Sequence, residues 1–430
     1  MNLLRISSIL GLLILLSLPP AKAQESVIDL YYSGSYDQVI THTRESIVSG
    51  DTTFNTFYLK ALSEVQLGRT EDAIQTLKIA TSIFPDDAMV KRMLAGQYYE
   101  AGDYSKSWPL YSTMIERDST DVSSWLKLAE IASFRQKYNE AVEALEQVLL
   151  IDPSNLSSLM MLGDILNRLN NSGAVVYYER AYSIYPDNQK VAYALGNWYT
   201  HAQRAWETIP ICEHILETDS SSIKFCKLMG YAYYKIGDPD PAIQHFDDAI
   251  SYGDSTAFTF KFKGISHYLS FDFPGAIESL QFALKKDSMD AEVHFFLGTS
   301  MANTKEKKEA MHHLDRSLEL MNPDPAIVSR IYSEQGNIMR LEMEHEKAYE
   351  LYRLAWEADT TNPMALYYMA SILDNSVHRS EEALVDYQRF LDQLNMKPEV
   401  VKRNQQIPSI KTIVEERIVT LKEELFFLDQ

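Results

Sequence analysis

The chain has 430 residues, more than one hydrophobic core usually supports, so several domains or an array of repeats is expected. Its 46% hydrophobic and 23% charged residues exclude a wholly disordered chain. The formal net charge of −20 argues against nucleic-acid binding, because an acidic surface repels phosphate groups. Two cysteines are too few for a domain built on a disulfide framework.

The first 23 residues have the layout of a secretory signal peptide. Arg5 precedes the apolar stretch Ile6–Leu18, and Ala21-Lys22-Ala23 places small residues at positions −3 and −1 of a cleavage site before Gln24. The apolar stretch is too short to span a bilayer. The mature protein is therefore predicted to be exported, periplasmic or extracellular, with a net charge of −22 and no stable membrane insertion after cleavage.

Two series of small residues recur along the rest of the chain with a period of about 34 residues. The first series lies at Ala61, Ala95, Ala129, Gly163, Gly196, Gly230, Gly264, Gly298, Gly336 and Ala370. The second lies at Ala73, Ser107, Ala141, Ala174, Thr208, Ala242, Ala276, Ala310, Ala348 and Ala383. This pattern predicts units of two crossing helices, because small residues at the crossing let the backbones approach closely.

Turn residues separate the two small positions of a unit. Leu67-Gly68-Arg69, Ala101-Gly102-Asp103 and Ile236-Gly237-Asp238 place glycine where the first helix ends. Glycine there is typical of a left-handed helix C-cap. Pro85, Pro153 and Pro186 stop the second helix of their units.

This pattern resembles the tetratricopeptide repeat, a 34-residue helix-turn-helix unit. In the fourth unit the residues typical of the family are Trp125, Leu128, Ala129, Ala141, Leu145, Val148 and Pro153. In the seventh unit they are Met229, Gly230, Tyr233, Ala242, Phe246 and Ala249. The resemblance implies an all-α, right-handed α-solenoid of about eleven units over residues 24–396. The insert Asn322-Pro323-Asp324-Pro325 predicts either a bend or subdomain boundary near 322–325, or a longer loop.

Both ends of the array depart from the repeat. Residues 24–50 are predicted to form a truncated first unit, with one helix ending near Tyr32 and the next beginning at Tyr36. Residues 397–430 are predicted to form a linker and a C-terminal capping helix, since the last unit of a solenoid exposes an apolar face. The apolar stripe of that helix contains Ile410, Val414, Ile418, Leu421, Leu425 and Leu428. The adjacent Phe426 and Phe427 favour the alternative of a helix that binds a partner or a second copy.

The sequence contains no motif of a known catalytic or metal site. It lacks the nucleophile elbow, the Walker loop, HExxH and GxGxxG. His312 and His313 are adjacent and face different directions on a helix, whereas zinc needs three or four converging ligands. Because repeats account for almost every segment, the chain is predicted to be non-enzymatic, without metal or cofactor.

Cys212 and Cys226 are predicted to lie on neighbouring antiparallel helices, eight and six residues from the loop near Ser220. Two interpretations stay open, a structural disulfide and two buried thiols. Titration of the denatured, unreduced protein decides between them, because two reactive thiols eliminate the bridge.

In the resembled family, the first helix of each repeat lines a groove that receives an extended or helical segment of a partner. Carried over position by position, the resemblance assigns this role to Tyr193, Asn197, Lys224, Lys227, Tyr231, Tyr234, Lys235, Phe258, Lys261 and Tyr268. Tyrosine offers rigid contact area and lysine offers a charge for a carboxylate. The family's carboxylate clamp is not reproduced, since Tyr193 rather than lysine stands one turn before Asn197.

These residues lead to the hypothesis of a protein-interaction scaffold of a bacterial envelope that binds an acidic or C-terminal partner segment. The alternative is a carrier of a glycan or other small ligand that stacks on the groove aromatics. The opposing interpretation of the groove residues is that the tyrosines serve packing alone and that the lysines balance nearby acids. A third function is an enzyme with an unrecognised site, which a cluster of buried acids and histidines in a closed pocket would indicate.

Overall fold

The computed structural model describes residues 26–304, 306–320, 324–396 and 407–428. Over these ranges the chain forms 23 α-helices and one short 3-10 helix, with no β-strand. The predicted signal peptide, residues 397–406 of the predicted linker, and Asn322 and Pro323 of the predicted insert lie outside the described residues. No helix in these ranges is long and apolar enough to cross a membrane.

Contacts divide the chain into two compact units, Met1–Pro186 and Asp187–Gln430. The described helices of the first unit are α1 (Val27–Tyr32), α2 (Tyr36–Val48), α3 (Phe54–Gln66), α4 (Thr70–Ile83), α5 (Ala88–Glu100), α6 (Tyr104–Arg117), α7 (Val122–Phe134), α8 (Tyr138–Ile151), α9 (Leu156–Arg168) and α10 (Ala174–Ile184). The sequence predicts Pro186 as the end of one repeat unit but not as a boundary between two compact units, because the 34-residue period runs through it without an insertion.

The second unit continues the same alternation of helices. It contains α11 (Gln189–His201), the 3-10 turn Ala205–Glu207, α12 (Thr208–Thr218), α13 (Ile223–Ile236), α14 (Pro239–Ser251), α15 (Ala257–Leu269), α16 (Phe273–Lys286), α17 (Ala291–Ala302), α18 (Lys307–Leu320), α19 (Pro325–Leu341), α20 (His345–Ala358), α21 (Pro363–Asn375), α22 (Ser380–Met396) and α23 (Ile407–Leu428).

Within each unit, every described helix packs against the next one along the chain, as expected for helix-turn-helix repeats. In the second unit the first helices of successive repeats also contact one another, α11 with α13, α13 with α15, α15 with α17 and α17 with α19. These five helices therefore form a continuous surface, which we call the first-helix wall. The fold class is an all-α solenoid of helix-turn-helix repeats.

The small residues lie where the two helices of a repeat cross. A Cβ atom on Gly230 of α13 would lie 3.0 Å from the ring of Phe246 and 3.2 Å from the carbonyl oxygen of Ala242, both on α14. Gly237 ends α13 with φ of 81°, a left-handed conformation that costs glycine little. Both roles predicted from the period, close approach and C-cap, are confirmed at these positions.

The ends of the array also agree with the prediction. Helix α1 ends at Tyr32 and α2 begins at Tyr36. Helix α23 packs against α22 and buries Val414, Ile418 and Leu421 in the apolar cluster of the last repeats. The helix begins at Ile407, three residues before the first predicted stripe position, and the side chain of Leu428 lies outside the described residues. The C-terminal helix therefore caps the solenoid.

Candidate binding site

A cleft of about 520 Å³ lies on the first-helix wall between α11, α13 and α15. Its lining residues are Tyr193, Asn197, His201, Ile223, Lys224, Lys227, Leu228, Tyr231 and Phe258. We call it the α11–α15 cleft. Six of the ten residues predicted for the groove meet here, namely Tyr193, Asn197, Lys224, Lys227, Tyr231 and Phe258.

Helical spacing explains why these side chains share one surface. On α13 the lining positions 227 and 228 lie three and four residues after 224 and four and three residues before 231, and on α11 the positions 193, 197 and 201 are four apart. Such spacing places residues on one face of a helix. The opposite face of α13 is anchored by Cys226 and Met229, which are buried in the core.

Lys224 is the cleft lysine whose charge is not neutralised by the chain. Its Nζ atom lies 3.7 Å from the centroid of the Tyr193 ring, a cation–π contact. In the described part of the chain it has no carboxylate partner. Burial, followed by the positive charge of Lys190, lowers the pKa of Lys224. An ammonium beside a second cation and without a carboxylate partner is a position that an anionic group of a ligand would stabilise.

Two of the other three lysines predicted for this wall, Lys227 and Lys261, are paired with acids of the chain itself. The Nζ atom of Lys227 lies 2.8 Å from Thr256 Oγ1 and 3.3 Å from Asp254 Oδ2. Lys261 Nζ lies 2.8 Å from Asp290 Oδ2 and 2.7 Å from Glu292 Oε2. Burial alone would lower the pKa of Lys261, but the hydrogen bonds to these two acids outweigh it and raise the pKa.

A cluster of aromatic rings supports the cleft. The ring centroid of Tyr231 lies 5.8 Å from that of Tyr234, 5.3 Å from that of Phe258 and 4.7 Å from that of Phe262. Burial and the nearby charge of Glu292 raise the pKa of Tyr231. Rings that brace one another in this way present a rigid apolar surface at low entropic cost.

The remaining predicted groove residues lie outside the cleft. Tyr234 packs beside it against Tyr231 and Phe262. Lys261 borders a neighbouring depression of about 250 Å³. Tyr268 contacts Phe273 and Phe296 instead, and Lys235 is exposed near the end of α13. The structure thus separates these four from the residues that share the cleft.

Sequence reasoning missed His201, Ile223, Leu228 and Lys190. The period itself contained a signal for two of them, since Lys190 precedes Lys224 by one period of 34 residues and His201 precedes Lys235 by the same interval. Ile223 and Leu228 gave no such signal, because an apolar residue on a first helix usually belongs to the core.

Cys212 on α12 and Cys226 on α13 are both buried and are free thiols in the structure. Burial raises the pKa of Cys212, as does the neighbouring Cys226, and burial raises the pKa of Cys226 to about 11. A disulfide between Cys212 and Cys226 therefore stays a prediction, which the thiol titration described above tests. Over the described ranges no three His, Cys, Asp or Glu residues are arranged to hold a metal ion.

Two family descriptions match the chain. "Tetratricopeptide repeat" matches residues 58–122, and "Tetratricopeptide repeat protein 21 C-terminal ARM domain" matches residues 111–228. These matches together span residues 58–228 and support the tetratricopeptide-repeat family for this chain. Proteins of this family generally mediate protein–protein interactions and are generally not enzymes.

Curated relatives share modest identity with this tetratricopeptide-repeat chain. A TPR repeat-containing protein of Methanocaldococcus jannaschii is 22% identical over 318 residues, which cover 68% of this chain and 55% of the relative. A peroxisomal targeting signal receptor of Candida albicans is 24% identical over 210 residues, 49% of this chain and 31% of the receptor. The chain therefore spans about half of the first relative and about a third of the second.

Solved structures resemble parts of the chain. A tetratricopeptide repeat protein from Parabacteroides merdae has 14% identity and a TM-score of 0.43, covering 59% of this chain and 98% of that one. YrrB, described as a TPR protein with an unusual peptide-binding site, has 20% identity and a TM-score of 0.39, covering 44% and 96%. Similarity at this level identifies neither the partner nor the site of this chain.

Proposed function

We propose that the chain is a non-catalytic interaction scaffold whose α11–α15 cleft binds an extended or helical segment of a partner protein. Lys224 carries this proposal, because it is a cation that packs on the ring of Tyr193 and has no acidic partner among the described residues of a chain whose net charge is −20. An acidic side chain or a C-terminal carboxylate of the partner would form a charge-assisted hydrogen bond with Lys224 Nζ.

Two further features of the cleft suit a peptide. Asn197 lines it, and its side-chain amide makes no hydrogen bond to another described residue, so both its donor and its acceptor are available to a peptide backbone. Tyr231 and Phe258 supply apolar contact for a neighbouring side chain. The cleft thus combines an anion position, a backbone position and an apolar position.

The arrangement of the rings favours a peptide over a stacked glycan. Stacking of a sugar needs an open ring face, but Lys224 covers the face of Tyr193. The ring of Tyr231 is surrounded by those of Phe258 and Phe262. The glycan carrier is therefore the second candidate.

We also propose that the scaffold works in a bacterial envelope. The layout of residues 1–23 supports export. Mass spectrometry of the protein purified from bacteria that export it should show an N-terminus at Gln24. An N-terminus at Met1 in that sample would remove this part of the proposal.

The cleft is tested by selecting random peptides displayed on phage against the immobilised full chain. We expect the selected peptides to be enriched in Asp, Glu or a C-terminal carboxylate. Lys224→Met, which keeps the aliphatic stem and removes the charge, should weaken binding of a selected peptide about 10- to 100-fold, the range for a hydrogen bond to a charged group.

Lys235→Met is the matched control, because Lys235 is exposed on the same helix outside the cleft. It should bind like the wild type. Failure to select any peptide, or equal loss of binding in the two variants, would contradict the proposed site.

A further inference from the structure

Glu334 on α19 is a largely buried acid of the first-helix wall with few partners. In the described chain its carboxylate accepts one hydrogen bond, from Asn337 Nδ2 to Oε2, at a long 3.4 Å. The amide oxygen of Asn337 accepts a 2.8 Å hydrogen bond from the hydroxyl of Tyr352 on α20, which holds Asn337 in place. A carboxylate can accept about four hydrogen bonds, so most of the capacity of Glu334 is unused.

The nearest basic residue on the same helix is engaged elsewhere. The guanidinium carbon of Arg330 lies 5.0 Å from the ring centroid of Phe295 on α17. It forms no ion pair within 4.0 Å in the described part of the chain. Burial raises the pKa of Glu334, and the hydrogen bond from Asn337 and the charge of Arg330 only partly oppose this rise. Arg330 therefore influences the carboxylate without pairing with it.

The repeat makes an acid at this position unexpected. The residues equivalent to Glu334 in the three preceding repeats are Phe296, Phe262 and Leu228. The interval from Phe296 to Glu334 is 38 residues because it contains the insertion, and the two earlier intervals are 34 residues each. Those three residues are apolar and pack on the wall or line the cleft. A charged group placed where the repeat has apolar residues lowers stability unless it is compensated. A local departure of this kind is expected at functional positions.

Two tyrosines on other helices of the wall lie within electrostatic range of the carboxylate. Burial, then the charge of Glu334, raises the pKa of Tyr268 on α15. The pKa of Tyr368 on α21 is also raised, mainly by burial, and Glu334 contributes to this rise. The charge of Glu334 therefore acts on tyrosines of the repeat that follows α19 and of the repeat two before it. A carboxylate beside aromatic rings attracts cations both by charge and through the ring quadrupoles.

We propose that Glu334 accepts a lysine or arginine side chain of the partner segment that binds the first-helix wall. The inference rests on the proposed function and adds a second position of opposite charge. Lys224 on α13 takes an acidic group and Glu334 on α19 takes a basic group, with α15 and α17 between them. Because the two positions have opposite charges, the bound segment would lie along the wall in one orientation only.

A purely structural role for Glu334 makes a different prediction for stability. If Glu334 paired with Arg330 to hold α19, Glu334→Gln would lower the melting temperature. In the binding role, the isosteric amide removes a poorly partnered buried charge. The melting temperature should then stay unchanged or rise.

The test uses the peptides selected by display against the full chain. Wild-type protein should select Lys or Arg at a constant distance from the acidic residue, and Glu334→Gln should lose the basic preference and keep the acidic one. Replacing the lysine of one selected peptide by methionine should weaken its binding about 10-fold to wild type and less than 2-fold to Glu334→Gln. The exposed Glu346→Gln on α20 is the control and should behave like wild type.

The outcomes separate this inference from the proposed function. Selection of acidic peptides without a basic preference would overturn the role of Glu334 and leave the cleft supported. Equal loss of binding by wild type and Glu334→Gln for the methionine peptide would also overturn it. If no peptide is selected at all, the proposed function fails and this inference fails with it.

Discussion

Gly230 shows how a single residue sets the distance between two helices. Its hydrogen faces the ring of Phe246 and the carbonyl of Ala242, where an added carbon atom would approach to 3.0–3.2 Å. Gly96 on α5 differs, because a Cβ there would lie 3.7 Å from the hydroxyl oxygen of Tyr111, an ordinary contact. The same residue type is therefore required at one site and replaceable at the other.

Gly230→Leu should lower the free energy of unfolding by about 1–3 kcal/mol, the usual cost of overpacking a filled core. Gly96→Ala is the control and should be neutral or stabilising by about 0.5–1 kcal/mol, because alanine favours the helix. Urea denaturation of the two variants measures both effects. Similar losses in both would contradict the crossing role of Gly230.

A pair of histidines joins α17 to α18. His294 Nδ1 and His313 Nδ1 lie 2.9 Å apart, and His294 Nε2 lies 3.2 Å from the carbonyl oxygen of Ser288. The carbonyl only accepts, so the hydrogen-bond pattern assigns the proton of His294 to Nε2 and makes its Nδ1 the acceptor from His313. His294 is therefore neutral in this arrangement, and the lowered pKa of His313 keeps the second ring neutral as well.

This pair predicts a loss of stability in acid. Burial, then the charges of His294 and His312, lowers the pKa of His313 to about 4. Burial also lowers the pKa of His294, with Arg316 and His312 acting in the same direction and the carbonyl of Ser288 and the charge of Asp290 opposing. The unfolded chain binds these protons near its ordinary pKa of about 6.5. The contribution of the two neutral histidines to the free energy of unfolding is thus fully present above about pH 6.5 and is lost as the pH falls towards 4.

Melting temperatures at pH 7 and pH 5 measure this effect. The decrease between the two should be smaller for His313→Asn than for wild type. His312→Asn, at an exposed neighbour, should keep most of the decrease. A His313→Asn variant with the full wild-type decrease would show that other groups cause it.

The C-terminal helix α23 is held on the last repeat by one ion pair in addition to its apolar stripe. Arg417 Nε and Nη2 lie 2.8 and 2.7 Å from the two carboxylate oxygens of Asp374 on α21. Asp374 is buried, while Arg417 is about a third exposed and also bonds to Glu424. Removing Arg417 would leave a buried carboxylate without its partner.

Arg417→Met should therefore lower the free energy of unfolding by about 2 kcal/mol, less than for a fully buried pair because the arginine is partly solvated. Hydrogen exchange should quicken first in residues 407–428. The matched control is Arg353→Met, whose pairs with Glu350 and Glu357 are exposed, and it should change stability little. Equal effects of the two variants would argue against a special role of the Asp374 pair.

At the scale of the whole molecule, the contacts group the repeats into two compact units, Met1–Pro186 and Asp187–Gln430. In arrays of this kind each repeat is stabilised by its neighbours, so local damage should spread a short distance only. Leu145 on α8 and Leu280 on α16 offer a matched pair, since both are fully buried and lie in different units.

Leu145→Ala should cost about 2–5 kcal/mol and reduce hydrogen-exchange protection mainly in α7–α10. Leu280→Ala should do the same mainly in α15–α18. Exchange measured by mass spectrometry on the full chain distinguishes the two patterns. Uniform loss of protection along both units in either variant would indicate a single cooperative structure instead.

Part of the candidate site was accessible from the sequence. The 34-residue period placed Tyr193, Lys224 and Tyr231 on first helices, and the structure brings them together in one cleft. The same period could not indicate that Lys235 lies outside the cleft, because Lys235 is four residues from Tyr231 on the same face of α13 and lies in the last turn of the helix, beyond the cleft. It also could not identify Glu334, whose significance depends on rings contributed by other repeats.

By itself, the sequence determined the repeat, the helix pairs, the turn glycines and the capping helix. These features are local or periodic, and each depends on residues a few positions apart. Only the tertiary structure decided which charges remain available to a partner. Lys227 and Lys261 are neutralised by acids 27 and 29 residues further along the chain, while Lys224 meets an aromatic ring and a second cation. Pairing across repeats depends on where side chains meet in space, which the period of small residues does not specify.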